Sequence, residues 1–514
     1  MPTKHLKLWL SVIILFAAGW RFYTIINYGA FSWDELFSFH YSQMPWMDSF
    51  KFWTWETNPP LHMFILKLWW YILPATEFWA RVPSMIFGVA SIYCLYDFTK
   101  RIFNNNTAWI ASVLLTFSPY HIFISATARG YSLLILLTIL SVNYFFKIFI
   151  DNDDSRENRL IFAATHLLLM LTHLTGALVI LAELIILSGL NRKKIILWIK
   201  TGLAPMFLWL AWAVPSFISK ANINTAGKSW FFNIDNDWLN ALFSLQTLIF
   251  GLTSIPARRI AASFPFAFFW ITLLVIMAIF CASVGICIYY QVKNKIADIT
   301  LQIISLFFGL PILIAIILHL WQVKFFTIAL PFFLILLAYI LNKYFPKIKD
   351  AITIAIAISL FGLIIFARAL PINDWSGINS YLQSHRDPDK NQILIYNHFV
   401  DKLLLERYLK VPINTLPYLG PDDAGLNWDQ LLIKTNYYRY IHPDIEMLKW
   451  YRDNNLLTYD QIFLLKEIGV GIDIDWTLIT NRWHFDGGIV GRLGDLRALM
   501  LYDHPKNPTS TIKN

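Results

Sequence analysis

The stretch Leu61-His62-Met63-Phe64-Ile65-Leu66-Lys67-Leu68-Trp69-Trp70-Tyr71-Ile72-Leu73, LHMFILKLWWYIL, decides how the first hundred residues are threaded. Its apolar length is about 13 residues, well short of the roughly 20 that a helix needs to cross a bilayer. It carries Lys67, and Trp69, Trp70 and Tyr71 give it rings of the kind that settle at a membrane interface. We read it as a helix lying on the membrane surface.

The basic residues fix the rest of the threading. They gather in short turns: Lys4 and Lys7; Lys100 and Arg101; Arg156 and Arg159; Arg192, Lys193 and Lys194; Lys293 and Lys295; Lys343, Lys347 and Lys349. If these turns all face the cytoplasm, an even number of crossings separates each from the next. Three apolar stretches lie between Lys7 and Lys100, at 8–26, 61–73 and 78–98, and the short one is the one that does not cross. Spans are then expected near 8–26, 78–98, 107–125, 131–150, 160–174, 176–190, 195–217, 264–290, 299–319, 323–341 and 351–370, eleven in all. The first loop, 27–77, and the loop 218–263 face outward. The odd count carries the chain from Pro371 onward to the outside as well.

Composition agrees with this. Of 514 residues 57% are hydrophobic and 15% charged, and mean hydropathy is +0.51. A soluble chain cannot hide that much apolar surface, so the expected class is an α-helical polytopic membrane protein. Residues 1–370 form its membrane domain, and 371–514 a soluble α/β domain. The net charge of +9 does not indicate nucleic acid, because the basic residues sit in the turns between spans. Cys94, Cys281 and Cys287 all fall inside apolar runs, so the soluble parts form no disulfide. The first apolar run, with many spans following, is read as an uncleaved span. No repeat of the inverted-transporter kind shows.

The polar residues that stand out share one depth, the outer face. Asp34, Glu35 and His40 lie in the first loop, and Glu56 and Asn58 precede Pro59-Pro60. Arg81 opens the second span, Arg129 and Tyr131 begin the fourth, His173 ends the fifth and Lys324 begins the tenth. Asp34 and Glu35 have an ordinary reading as solvated loop acids. Their neighbours Trp33, Phe37, Phe39 and Tyr41 argue for a loop against lipid headgroups, where an unpaired carboxylate is costly. One acid of such a pair often only caps a helix. Arg81, Arg129 and Lys324 taken singly are snorkelling cations. Together on one face they suit a phosphate-sized anion. His173 reads either as a site residue or as a helix-end histidine bonded to a carbonyl.

Five segments in order, FSWDELFSFHYS, NPPLHMFILKLWW, EFWARVPSMIFG, FSPYHIFISATARGYSLL and LTHLTGALV, resemble the successive motifs of the GT-C glycosyltransferases. The chain is most similar to the bacterial branch of glycosyltransferase family 39, which includes relatives of protein O-mannosyltransferases and of the lipid A aminoarabinose transferase. The resemblance implies a polyprenyl-phosphate-linked sugar donor and an inverting transfer on the extracytoplasmic side of a bacterial inner membrane. It implies Asp34 as general base, with Glu35 beside it. It aligns Pro59-Pro60 with the start of an interfacial helix, Lys324-Phe325 with a basic–aromatic pair opening a late span, and Thr172-His173 with a Thr-His pair. It allows a divalent ion on Glu56 and His173, although two ligands make an incomplete site. The chain departs from the group at Thr127, where a Glu is usual, at Tyr131-Ser132, where an Asp is frequent, and at Asn58, where Lys is frequent.

A hydroxyl is a poor nucleophile, and a carboxylate beside it can accept its proton as attack proceeds. Attack on the anomeric carbon passes through an oxocarbenium-like transition state, and the departing phosphate needs positive charge. Two other classes compete. A flippase for a lipid-linked sugar would need the groove and the cations but no base in the first loop; a non-catalytic envelope scaffold would bind glycan or protein through its terminal domain. In that domain QILIYN, QLLIKT, YDQIFLLKE and RALMLYD read as short strands and DIEMLKWYRDN as a helix, with no metal, nucleotide or triad motif.

Overall fold

The computed structural model describes residues 3–55, 58–222, 299–318, 323–345, 347, 350, 352–354, 356, 375–396, 399–417, 454–467, 483–493 and 495–504. The chain divides into two compact units. Of the described residues, 3–27, 38–222 and 299–356 belong to the first, and 28–37 and those from 375 onward to the second.

The first unit is helical. It begins with α1 (Thr3–Asn27) and holds most of α2 (Trp33–Gln43), then α3 (Trp46–Trp55) and α4 (Leu61–Trp69). The boundary between the units falls inside α2, after Phe37. There follow α5 (Glu77–Ile102), α6 (Asn105–Phe117), α7 (Pro119–Ser125), α8 (Tyr131–Ile150), α9 (Arg156–Thr172), α10 (Gly176–Leu190), α11 (Arg192–Leu203), α12 (Met206–Asn222), α13 (Ile299–Ile317) and α14 (Val323–Tyr344). Among the described residues, five helices are long and apolar enough to cross a membrane: Leu8–Asn27 of α1, then α5, α8, α13 and α14. They coincide with five expected spans. The run 61–73 gives the short α4, followed by a turn. The expected spans 160–174 and 176–190 are the shorter helices α9 and α10. The span 264–290 lies outside the described residues, as does most of 351–370.

Two expected spans fall on bent helix pairs. The stretch 107–125 is not one straight helix but the pair α6 and α7, bent by 60°, and 195–217 is the pair α11 and α12, bent by 59°. The first break has a clear cause. Pro119 has no N–H to continue α6, so the chain restarts, and the Ser118 hydroxyl accepts from the His121 N–H at 3.3 Å as the new cap. The carbonyls freed at the end of α6 are met by Arg21 of α1, which is fully buried. Its guanidinium donates to Leu115 O at 3.4 Å, to Thr116 O at 3.3 Å and to His121 Nδ1 at 2.7 Å. His121 Nε2 then donates to Ser91 Oγ at 2.9 Å. A cation thus sits where a helix C-terminus presents its partial negative charge.

A second buried polar knot ties α8, α9, α10 and α11. Ser141 Oγ donates to Glu183 Oε1 at 3.1 Å and Trp198 Nε1 donates to Oε2 at 2.9 Å. His166 Nε2 lies 2.9 Å from the same Oε2 but is not aligned as a hydrogen bond. Its Nδ1 faces Gly202 O at 3.3 Å. Around these knots packs one apolar core that includes Phe98, Leu134, Phe145, Phe162 and Leu330.

The second unit contains a five-stranded sheet. Its strands are β1 (Gln392–Tyr396), β2 (Asn414–Pro417), β3 (Gln461–Glu467), β4 (His484–Leu493) and β5 (Asp495–Asp503), in the order β2-β1-β3-β5-β4. β1 runs parallel to β2 and β3, whereas β5 is antiparallel to both β3 and β4. Ile393, Ile395, Ile462, Leu464, Trp483 and Tyr502 form its core. Helices α15 (Trp375–His385) and α16 (Phe399–Tyr408) accompany it. Asn379 of α15 donates to Tyr408 O at 2.9 Å and accepts from the Lys410 N–H at 2.8 Å, which fixes the end of α16. The expected strands QILIYN, YDQIFLLKE and RALMLYD are β1, β3 and β5. QLLIKT and residues 444–453 lie outside the described residues. β2 and β4 were not expected: β2 is short and ends in proline, and β4 holds Gly487, Gly488 and Gly491 with a bulge near its start, so neither alternates cleanly.

Candidate functional site

The second unit contains the start of α2 and with it the acidic pair. Ser32-Trp33-Asp34-Glu35 has the sequence of a capping box, and its reciprocal half is present: Glu35 Oε2 accepts from the Ser32 backbone N–H at 2.8 Å. Glu35 is fully buried and Asp34 is exposed. Within the same unit the Phe31 N–H donates to the Tyr408 hydroxyl at 2.9 Å, and the Arg407 guanidinium lies 5.4 Å over the Phe31 ring. The segment that leads into the acidic pair is therefore held by α16.

The first unit contains a small pocket lined by Ser38, Asn58, His62, Arg129, Tyr131 and His173, with Pro59, Met63, Gly130 and Thr172 closing it. Four segments meet here: α2, the Pro59-Pro60 turn with α4, the turn before α8, and the end of α9. Gly130 makes the meeting possible. A Cβ there would stand 3.3 Å from both His62 Cβ and Thr172 Cγ2, tighter than ordinary packing allows. The same turn is pinned to α5, because Ser84 Oγ donates to Arg129 O at 3.0 Å. Arg129 Nη1 donates to Ser38 Oγ at 3.0 Å, and its guanidinium lies 6.0 Å from the Tyr131 ring.

Both imidazoles of the pocket have a definite character. His173 Nδ1 accepts from the Thr175 N–H at 3.3 Å and lies 2.8 Å from Thr175 Oγ1. The proton of the neutral ring therefore rests on Nε2, which makes His173 a hydrogen-bond donor there. His62 is buried, and its Nε2 is sealed from solvent with no hydrogen-bond partner. Burial first, and then the charge of Arg129, pull its pKa down to about 3, so the ring is neutral at ordinary pH. The pocket thus offers one guanidinium, two uncharged imidazoles, a phenol and a carboxamide, and no carboxylate among its lining residues. Such a set suits oxygen-rich groups, anionic or hydroxylic.

The sequence-selected residues fall into three groups. Asn58, Arg129, Tyr131 and His173 line the pocket together. Lys324 lies near it: the Phe325 ring is 6.4 Å from that of His173, and Lys324 Nζ is 5.5 Å from the Phe325 ring. Arg81 is buried in the first turns of α5, and His40 stands edge-on to Tyr41 at 5.0 Å; neither lines the pocket. Glu56 lies outside the described residues. Among the described residues no group of three His, Cys, Asp or Glu is placed to hold a metal ion. Sequence reasoning missed Ser38 and His62. Neither belongs to a motif with its own chemistry, and both are found only because Arg129 and Gly130 pack against them.

Residues 57–218 match the family described as dolichyl-phosphate-mannose-protein mannosyltransferase. No curated protein sequence matches the chain. Among solved structures, the chain is similar to ArnT from Cupriavidus metallidurans in the apo state, with a TM-score of 0.58 and 13% identity over 97% of this chain and 98% of that one. It is similar also to ArnT from the same organism bound to undecaprenyl phosphate, with a TM-score of 0.52 and 13% identity over 96% and 98% of the two chains. The apo oligosaccharyltransferase of Archaeoglobus fulgidus gives a TM-score of 0.49 and 13% identity over 90% and 70%. At this identity the likeness to ArnT is one of fold.

Proposed function

We propose that this chain, which belongs by fold to the GT-C superfamily, is a membrane glycosyltransferase that takes a sugar from a polyprenyl-phosphate-linked donor. The observation that carries the proposal is the pocket in which Asn58, Arg129, Tyr131 and His173 converge, inside the stretch that matches the mannosyltransferase family. Two further facts support it. The similar ArnT structure holds undecaprenyl phosphate, and the five helices long and apolar enough to span a membrane supply walls for a lipid tail.

In this reading Asp34 is the general base. It accepts the proton of an acceptor hydroxyl as that oxygen attacks the anomeric carbon. The bond between that carbon and the phosphate oxygen breaks, and the polyprenyl phosphate leaves with both electrons. Arg129 and Lys324 offset its charge. Tyr131, Asn58 and His173 hold its oxygens, and Arg81 and His40 support the surrounding turns. A single in-line displacement inverts the anomeric centre. Glu35, bound to the Ser32 N–H, orients the turn that carries Asp34. A divalent ion held by Glu56 and His173 enters none of these steps. The membrane is a bacterial inner membrane, with the pocket and residues 371–514 on the outer side, where the acceptor is a glycan, lipid or protein.

The test is sugar transfer by purified protein in detergent, from undecaprenyl-phosphate-linked sugars to envelope acceptors. Asp34→Asn keeps size and cannot take the proton, so turnover should fall by about 10²–10⁴-fold while undecaprenyl phosphate still binds. Lipid-linked sugar moved across proteoliposomes equally well by wild type and Asp34→Asn, with no transfer by either, would instead identify a flippase.

A further inference from the structure

We infer that His62 is a positioning residue that hydrogen-bonds a hydroxyl of the transferred sugar, an inference that rests on the donor reading above. Three observations lead to it. The first is the state of the side chain. His62 is 5% exposed, and its Nε2 is buried with no partner in the protein. Buried polar atoms are nearly always paired, and an orphan is costly enough to call for an explanation. Other buried polar atoms among the described residues also lack a partner, but His62 is the residue among them that lines the pocket shaped by Arg129, Asn58 and His173, and a group entering that pocket would supply the partner.

The second observation is charge. The guanidinium of Arg129 bears on His62 and opposes any proton on it. His62 is an uncharged partner beside a cation. An anionic oxygen is drawn to the cation. A hydroxyl both donates and accepts, so it matches a neutral imidazole whichever nitrogen holds the hydrogen. The third observation is fit. The pocket is small, and His62 packs closely over Gly130, where a Cβ would stand 3.3 Å from His62 Cβ and 3.8 Å from its Cγ. A side chain so confined selects by position and cannot follow a displaced ligand. The sugar is the hydroxyl-bearing part of a lipid-phosphate donor, next to the phosphate that Arg129 would hold.

The test uses the full chain in detergent and two kinds of probe. One is undecaprenyl phosphate alone. The other is undecaprenyl phosphate carrying mannose, glucose or aminoarabinose, whichever the wild type binds best. His62→Phe keeps an aromatic ring and removes both nitrogens. It should leave the affinity for undecaprenyl phosphate within about 2-fold and weaken the sugar-linked lipid by about 3- to 10-fold, the value of one net hydrogen bond. His62→Gln restores a polar atom near the place of Nε2 and should recover most of the loss. His62→Asn reaches only the place of Nδ1 and should behave like His62→Phe, which keeps the test open if the phenylalanine variant does not fold. Equal weakening of both lipids would assign His62 to the phosphate or to the fold and overturn the inference. So would no change for either lipid. Wild-type protein that binds neither lipid would overturn the donor reading itself, and this inference with it.

Discussion

Two of the buried polar clusters in the helical unit are built from similar parts, and they differ in what surrounds the unbonded imidazole nitrogen that each contains. Around Glu183 both carboxylate oxygens accept, one from Ser141 and the other from Trp198, and the unbonded His166 Nε2 faces that second oxygen at 2.9 Å. Around Arg129 the His62 Nε2 has no partner, although it is just as deeply buried. The Glu183 cluster ties four helices and offers nothing to a ligand. The Arg129 cluster is tied to the fold through Ser38 and the Ser84 bond, and its unbonded atom belongs to a residue that lines a pocket. Polarity and burial do not separate a brace from a binding site; what the unbonded atom's residue faces does, a carboxylate for His166 and a pocket for His62.

That contrast breaks first under substitution of its two central residues. Arg129→Ala should lower turnover by about 10²–10³-fold, the scale seen when a group that stabilises developing charge is lost. Its midpoint of thermal unfolding in detergent should change little. Glu183→Ala should do the reverse. Removing the carboxylate leaves the Ser141 and Trp198 donors buried without an acceptor, at about 1–3 kcal/mol each, so the unfolding midpoint should drop sharply while turnover per folded molecule stays within a few-fold. Both quantities can be read on the same preparations. If Glu183→Ala kept its stability and lost turnover, the Glu183 cluster would belong to the reaction and the contrast would fail.

Gly130→Ala tests the same contrast more gently. The added methyl must displace His62 or Thr172, each 3.3 Å away, and overpacking of this kind costs about 1–3 kcal/mol. Part of that should appear as narrowing of the pocket. The expected result is a KM for the lipid donor raised by about 10-fold with kcat less affected. An unchanged KM with a lowered unfolding midpoint would mean that the glycine serves packing alone.

What the sequence made legible follows from which signals are local. Apolar run length located α1, α5, α8, α13 and α14, and the shortness of 61–73 foretold α4. Alternation and β-branched content located β1, β3 and β5. The break at Ser118-Pro119 was not foreseen, although Pro119 is the residue that causes it. Hydropathy averages over 107–125 and does not feel a missing N–H, and the Arg21 that satisfies the freed carbonyls is 95 residues or so away in sequence. For the site, charge at a common depth selected Arg129, Tyr131, His173 and Asn58, which do come together. It also selected Arg81 and His40, which do not line the pocket, because depth fixes height in the membrane and not the bearing around a helix. His62 was invisible. It sits in an amphipathic run where a histidine needs no special reason, and only the close approach of Gly130 gives it one.

The smallest expected effect concerns the acidic pair, where adjacent carboxylates have opposite surroundings. Glu35 is buried and bonded to the Ser32 N–H at 2.8 Å, whereas Asp34 is exposed. A capping box accepts Glu or Gln at this position. Glu35→Gln should therefore leave both stability and turnover close to wild type. Glu35→Ala removes the acceptor and should cost about 1 kcal/mol of stability, read as a modest fall in the unfolding midpoint, with turnover within a few-fold. Charge is the discriminating variable. The cap needs an oxygen and not a negative charge, while a general base needs the charge. If Glu35→Gln were inactive and Asp34→Asn were not, the base would be Glu35 and the Ser32 bond would be its orienting contact. If both amides turned over normally, SWDE would be a helix start and nothing more, and the proton would have to leave by another group.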